Sequence, residues 1–106
     1  MRAIVDIARA EGITVILGTL PPMARNSFDP DHRPAPLIAE QNRFLAALAK
    51  EKGAILADYH AALAAPDGGF AAGMASDEVH LSPKGYAAMR KVLEEALAKL
   101  PPAAKN

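Results

Sequence analysis

A helix-like stretch is followed twice in this chain by a glycine and then by a short apolar run. The first junction reads Ala10-Glu11-Gly12-Ile13 and the second reads Glu51-Lys52-Gly53-Ala54. Glycine directly after a helix favours a left-handed C-terminal cap. The runs that follow are aliphatic and nearly uninterrupted, which is typical of strands buried on both faces of a parallel sheet. The repeated order therefore predicts the α/β class.

Hydrophobic periodicity and capping residues set the expected bounds of the elements. The pattern predicts two parallel strands at about 13–18 and 54–58, and three main helices at about 2–11, 36–52 and 83–100. Pro36 is expected to open the second helix and Ser82-Pro83 the third, with Ser82 as the N-cap. The third helix is expected to bury Tyr86, Met89, Leu93, Ala96, Leu97 and Leu100. Residues 101–106 are expected to form a frayed tail.

Length and charge limit the classes of protein that this chain can belong to. Its 106 residues suit one small domain, and 12 basic residues balance 12 acidic ones, so no strong field favours nucleic acid. There is no cysteine. The longest apolar run, Ile13 to Leu17, is far too short to span a bilayer, so a soluble chain is expected. Localisation stays unknown, because any leader would lie upstream of Met1.

A proline-rich loop follows the first predicted strand, where open α/β sheets usually bind ligands. Asp29, Asp31 and His32 lie in this loop, but they lack further residues at metal-ligand spacing, which favours a solvated turn cluster. Ser27 lacks the strand–turn–helix setting of an exposed nucleophile. After the second strand, Asp58 and His60 are interpreted as structural residues, with Asp58 capping a helical turn at 61–65.

The stretch from Ser76 to Tyr86 contains the pair that points most directly to chemistry. Asp77 precedes His80 by three residues, immediately before the predicted start of the last helix. At this spacing the carboxylate can accept the Nδ1 proton of His80 and leave Nε2 free as a base. The spacing alone favours the alternative of a turn aspartate and a histidine that packs near the helix start.

Three segments, in order along the chain, resemble the SGNH hydrolases, the GDSL esterase/lipase family. The stretch from Asp77 to Tyr86 is similar to the family's last block, in which Asp-x-x-His precedes a helix start. Residues 13–22 resemble its fourth strand and the following loop, and Asp58 to Leu63 with Asp67-Gly68 resembles the segment after its fifth strand. The resemblance implies the C-terminal part of a doubly wound, flavodoxin-like α/β/α sandwich, with residues 1–100 as a single partial domain.

The resemblance also implies an activity and two catalytic residues. His80 would be the general base of serine acyl transfer to and from carboxylic esters, and Asp77 would orient it; no metal or other cofactor is implied. The partner would be a small acyl-ester substrate, provided that an N-terminal half completes the site. Glu78 stands where the family commonly has glycine, which bears on the backbone of this turn.

The family's nucleophile and oxyanion donors have no counterpart in this chain. There is no Gly-Asp-Ser and no Gly-x-Asn-Asp, and Asn26, Asn42 and Asn106 lie in other contexts. The chain alone is therefore expected to be inactive. The alternative hypothesis is a non-catalytic α/β module that self-associates through the exposed edge of the 13–18 strand or pairs with an N-terminal half. A metal-dependent hydrolase using His32, His60 and His80 is disfavoured, because the three lie in separate loops.

Overall fold

The computed structural model describes residues 1–24, 31, 33–77 and 79–101. Its elements in chain order are α1 (Arg2–Ala10), β1 (Ile16–Gly18), α2 (Pro34–Lys52), β2 (Ile55–Ala57), α3 (Tyr59–Leu63) and α4 (Pro83–Ala98). The two strands pair in parallel, with Ile16 opposite Ile55 and Gly18 opposite Ala57. The predicted α/β class and the two parallel strands are confirmed.

Both helix–glycine–strand junctions close in the same way. Gly12 and Gly53 adopt φ of 75° and 68°, the left-handed region that glycine enters without steric cost. The residue after each glycine donates back into the helix, from the Ile13 N–H to the Ala8 carbonyl and from the Ala54 N–H to the Ala49 carbonyl, each at 2.9 Å. Since these N–H groups complete the helix caps, the strands begin later than the sequence pattern predicts.

The core lies between the sheet and the helices that flank it. Leu17 of β1 packs with Val5 of α1 and with Leu48 and Ala49 of α2 in one buried cluster. Side chains alternate between the faces of a strand, so Ala57, which is also buried, points to the opposite face. Helix α4 contacts β2 and α3. Helices on both faces are what the doubly wound arrangement requires.

The helix bounds differ slightly from the predicted ones, for reasons of local geometry. Helix α2 begins at Pro34, two residues before Pro36, because a proline is tolerated anywhere in the first turn, where N–H groups have no partner within the helix. Helix α4 ends at Ala98; Lys99 and Leu100 donate three residues back in a tightened final turn. Helix α3 occupies 59–63 rather than 61–65.

Several apolar side chains expected in the core are exposed. The predicted burial is wrong for most of the stripe on α4, where only Ala96 is fully buried; the exposed members are Tyr86, Leu93, Leu97 and Leu100. Ile4 and Ile7 of α1, apolar side chains on the same helix as the buried Val5, are also exposed. The periodicity identifies an apolar face correctly, but among the described residues no element covers these faces.

Candidate active site

Asp77 and His80 lie in a tight loop that joins the region after α3 to α4. We call residues 73–77 and 79–82 the site loop. Its two sides are held together by an antiparallel bridge between Ala75 and Leu81. Above this bridge, the Ser76 N–H donates to the His80 carbonyl at 2.9 Å, and the Ser76 hydroxyl donates to the same oxygen at 3.2 Å. The Asp-x-x-His pair therefore lies at the tip of a closed loop.

The geometry of the pair fixes the tautomer of His80. Oδ1 of Asp77 accepts from the backbone N–H of Val79 at 2.8 Å and of His80 at 2.7 Å. Oδ2 lies 2.8 Å from Nδ1 of the His80 ring. The N–H groups of Val79 and His80, followed by the ring, lower the pKa of Asp77 to about 2. An ionised carboxylate only accepts hydrogen bonds, so Nδ1 carries the proton and Nε2 is the basic nitrogen of the neutral ring.

The pair is open to solvent. The His80 side chain is 74% exposed and that of Asp77 is 53% exposed. Within the part of the chain that the structure describes, Nε2 of His80 has no hydrogen-bond partner. The sequence-predicted pair is thus brought together in the orientation of a base and its orienting carboxylate, with the basic nitrogen directed away from the carboxylate.

The base of the site loop is fastened to the start of α4. The Ser82 hydroxyl accepts from the Gly85 N–H at 3.1 Å, which confirms it as the N-cap. The same hydroxyl donates to the Gly73 carbonyl at 2.5 Å, and the Ser82 N–H donates to the Met74 carbonyl at 3.1 Å. Gly85 lets the Met74 carbonyl lie against the first turn of α4, since a Cβ at position 85 would be only 2.0 Å from the Met74 oxygen.

No described serine is placed as a nucleophile for His80. The hydroxyls of Ser76 and Ser82 are both bonded to backbone groups of the site loop and of α4. Asn42 is engaged elsewhere: its Oδ1 accepts from the Leu20 N–H at 2.7 Å and its Nδ2 donates to the Leu20 carbonyl at 3.2 Å. Asn42 therefore fixes the loop after β1 to α2 and is not an oxyanion donor. Ser27, Asn26 and Asn106 lie outside the described residues.

A cavity of about 470 Å³ borders the site loop. Ala24, which follows the carboxyl end of β1, lines it together with Asp77, and Phe70, Ala71, Ala72 and Ala75 add small or aromatic apolar surface. Asp77 thus borders a space lined mostly by small residues on the carboxyl side of the sheet, where α/β proteins bind ligands. A larger cavity of about 570 Å³, between Leu20 and the first half of α2, does not include the pair.

Asp58 and His60 belong to a structural joint. Asp58 caps α3, as predicted, with Oδ1 accepting from the Ala61 N–H at 3.1 Å. The Thr19 hydroxyl, in a residue only 6% exposed, donates to Asp58 at 3.1 Å and accepts from the His60 N–H at 3.0 Å. Thr19 thereby joins the carboxyl end of β1 to the start of α3, a role that its sequence context does not indicate.

The described residues form neither a metal-binding cluster nor a helix that could span a membrane. In the described ranges no three His, Asp or Glu side chains group closely enough to hold a metal ion, and His60 and His80 share no such site. Asp29, His32 and Glu78 lie outside those ranges. No helix among the described residues has both the length and the apolar character needed to cross a membrane.

The fold and the site together define a class: a parallel α/β protein with an oriented Asp–His pair after its second strand. The sequence model of the GDSL-like lipase/acylhydrolase family matches residues 1–88. The chain belongs to this family. The predicted resemblance is confirmed, and the match includes the whole site loop.

Several solved structures have a fold similar to that of this chain. A candidate acylhydrolase from Bacteroides fragilis superposes with a TM-score of 0.79 at 29% identity, covering 92% of this chain and 48% of its own. A GDSL-like lipase from Bacteroides thetaiotaomicron has a TM-score of 0.79 at 24% identity, covering 92% of this chain and 48% of its own. A candidate lipolytic protein of the G-D-S-L family from Desulfitobacterium hafniense gives 0.68 at 23% identity, covering 90% and 50%.

The chain thus spans about half the length of these solved structures. Among curated protein sequences, no significant match to this chain is found.

Proposed function

We propose that this chain supplies the base and its orienting carboxylate to a hydrolase that acts on carboxylic esters by serine acyl transfer. The observation that carries the proposal is the 2.8 Å contact between His80 Nδ1 and Asp77 Oδ2. The other ring nitrogen of His80, Nε2, has no hydrogen-bond partner among the described residues. Membership in the GDSL-like lipase/acylhydrolase family supports the same reaction class.

The proposed roles follow from the protonation states of the pair. As the serine oxygen attacks the ester carbonyl carbon, its proton passes to Nε2 of His80. Asp77, which is ionised, stabilises the imidazolium that forms. When the bond between the acyl carbon and the alkoxy oxygen breaks, His80 gives the proton to the leaving alcohol. In the second half, His80 takes a proton from the water that attacks the acyl carbon and gives it to the serine oxygen as the acyl–serine bond breaks, which releases the acid.

The substrate is proposed to be a small acyl ester that enters the cavity beside Asp77. The cavity of about 470 Å³ is lined by alanines and one phenylalanine, which offer apolar contact to a short acyl or alcohol group, and also by two glycines and by Asp67 and Asp77. A roughly neutral chain adds no long-range preference for a charged substrate.

The serine nucleophile and the oxyanion donors are proposed to come from a segment outside this sequence. The sequence contains no Gly-Asp-Ser and no Gly-x-Asn-Asp. Base, nucleophile and oxyanion donors act as a unit, so the pair alone gives little acyl transfer. We therefore expect negligible hydrolysis of p-nitrophenyl acetate by this chain by itself.

The test joins this chain to the half of the Bacteroides fragilis protein that it does not match, and assays ester hydrolysis. The expected result is turnover by the chimera and none by the chain alone at equal concentration. Circular dichroism and a cooperative melt establish that both are folded. A folded chimera without esterase activity would count against the proposal, as would hydrolysis by the chain alone that His80→Ala abolishes.

The alternative hypothesis is a non-catalytic module that associates through β1. The Val15 carbonyl and the Thr19 N–H bond to β2, so by the alternation of backbone groups in a parallel ladder Ile16 and Gly18 direct theirs to the other edge. In the described part of the chain, that edge has no partner strand. An unpaired edge of this kind favours pairing with a further strand.

Sedimentation as a function of concentration tests this alternative. Association that rises with concentration, and that Ile16→Pro suppresses by removing an edge N–H, supports pairing through β1. Ile7→Glu on the exposed face of α1 is the matched control, because it leaves the edge unchanged. A chain that stays monomeric at all concentrations contradicts self-association.

A further inference from the structure

The Ser82 hydroxyl has two partners in two different parts of the molecule. It accepts from the Gly85 N–H in the first turn of α4 and donates to the Gly73 carbonyl across the base of the site loop. The first bond is an ordinary N-cap. The second, at 2.5 Å, is the shorter of the two and contributes nothing to capping.

Successive hydrogen bonds connect Ser82 to the Asp–His pair. The Ser82 N–H donates to the Met74 carbonyl, and the next residue, Ala75, pairs with Leu81 in the antiparallel bridge. Beyond the bridge, the N–H and the hydroxyl of Ser76 both donate to the His80 carbonyl. Each of these hydrogen bonds fixes the distance between the two sides of the site loop, and so allows the next hydrogen bond along the loop to form. The last contacts in this series are those of Asp77 with the backbone and the ring of His80.

Packing cannot supply this positioning, because both side chains of the pair are mostly exposed. The orientation of His80 thus depends on hydrogen bonds within the site loop. Gly73 also lines the cavity beside Asp77, so the bond from Ser82 fixes a wall of that cavity as well.

We infer that Ser82 is a positioning residue: its bond to the Gly73 carbonyl holds the site loop in the conformation that orients Asp77 toward His80. The inference concerns the geometry of the pair, and its catalytic meaning rests on the proposed function. Capping of α4 and positioning of the pair are separate functions of one hydroxyl group.

Three substitutions separate the two functions. Ser82→Thr keeps a hydroxyl that accepts and donates. Ser82→Asp keeps a good N-cap acceptor but cannot donate to Gly73 when ionised. Ser82→Ala removes both bonds. If Ser82→Ala fails to fold, the comparison of the Asp and Thr variants still decides the question.

The measurement is an NMR titration of the Asp77 carboxyl carbon in this chain, which requires no ester hydrolysis. The native midpoint is expected near pH 2. Ser82→Ala is expected to move the midpoint toward 3.8 and Ser82→Thr to keep it native. Ser82→Asp is compared by amide exchange at about pH 7, where the introduced carboxyl is ionised. Exchange of the Ser76 amide, referenced to that of the buried Leu48, is expected to quicken about tenfold in the Asp variant, while the Gly85 amide stays protected.

Two results would overturn the inference. One is a Ser82→Asp variant with native Ser76 exchange at about pH 7, because capping alone would then account for Ser82. The other is an equal change in the Asp and Thr variants, which would show that the hydroxyl donor is not what matters. The Asp77 titration and the Ser76 amide exchange are both measured on this chain and need no ester hydrolysis. An inactive chimera would therefore count against the proposed function and not against this inference.

Discussion

Oδ2 of Asp77 lies 2.8 Å from Nδ1 of His80, although both side chains are largely exposed to solvent. An exposed ion pair usually contributes little and is readily lost to water. Here the carboxylate is fixed independently of the ring, because its other oxygen accepts two backbone N–H groups three residues or fewer away. The loop orients the carboxylate, and the carboxylate orients the imidazole.

The first prediction concerns the titration of Asp77. Its pKa is lowered from 3.8 to about 2, chiefly by the N–H groups of Val79 and His80. Because the folded pKa lies below the unfolded one, the stabilising contribution of Asp77 is complete above about pH 4 and is lost as the pH falls through about 2. A carboxyl-carbon NMR titration with a midpoint near 3.8 would contradict this.

His80→Ala is the matched control for that titration. It removes the ring but keeps the backbone N–H of residue 80, and the two backbone hydrogen bonds are the largest causes of the lowered pKa. The midpoint of Asp77 in this variant is therefore expected to rise only part of the way toward 3.8. A complete return would mean that the ring, and not the loop backbone, holds the carboxylate.

The second prediction concerns Gly85. In an exposed helical position, replacing glycine by alanine normally stabilises a protein by roughly 0.5–1 kcal/mol. At Gly85 the added Cβ would lie 2.0 Å from the Met74 carbonyl oxygen, so the site loop must shift away from α4. We expect Gly85→Ala to lower the free energy of unfolding by about 1–3 kcal/mol, as other overpacking substitutions do.

Urea denaturation followed by circular dichroism measures this change. Ala87→Gly, two residues along the same helix at an exposed position, is the control for intrinsic helix propensity. It is expected to destabilise by about 1 kcal/mol for propensity reasons alone. If Gly85→Ala instead stabilises the chain, close contact between Gly85 and Met74 is not required.

The third prediction concerns the joint between β1 and α3. Thr19→Val keeps the shape of the side chain but removes the acceptor for the His60 N–H and the donor to Asp58. Leaving such groups unsatisfied costs about 1–3 kcal/mol. Thr19→Ser retains the hydroxyl and loses one methyl group, worth about 0.8 kcal/mol. Equal or greater stability of the valine variant, measured in the same urea assay, would be inconsistent with the joint.

The repeated helix–glycine–strand order made the α/β class predictable, because left-handed glycines and all-apolar strands leave few other arrangements. The strand bounds were less predictable, since the N–H groups of Ile13 and Ala54 complete helix caps before the strands begin. Burial on α4 was predicted wrongly. Periodicity identifies an apolar face, but it cannot show whether the chain itself provides a covering element for Leu93 and Leu97.

The candidate site was predictable only in its local part. Asp77 and His80 are three residues apart, so their contact follows from the spacing and the turn. The contact of Gly85 with Met74 joins residues that periodicity does not relate, although a glycine in the first turn of a helix hints at close approach. The bridging role of Thr19 depends on two strand ends meeting, and its sequence context gives no signal of it.

The measurement that tests the central claim most directly compares kcat for His80→Ala and Asp77→Asn in the active chimera. Loss of the general base is expected to lower kcat by about 10²–10⁴-fold. Asp77→Asn is expected to lower it substantially as well, since an amide can present the wrong group to Nδ1. His60→Ala, a histidine outside the pair, is the control and should retain native kcat. A His80→Ala chimera within twofold of the native rate would contradict the assignment of His80 as the base.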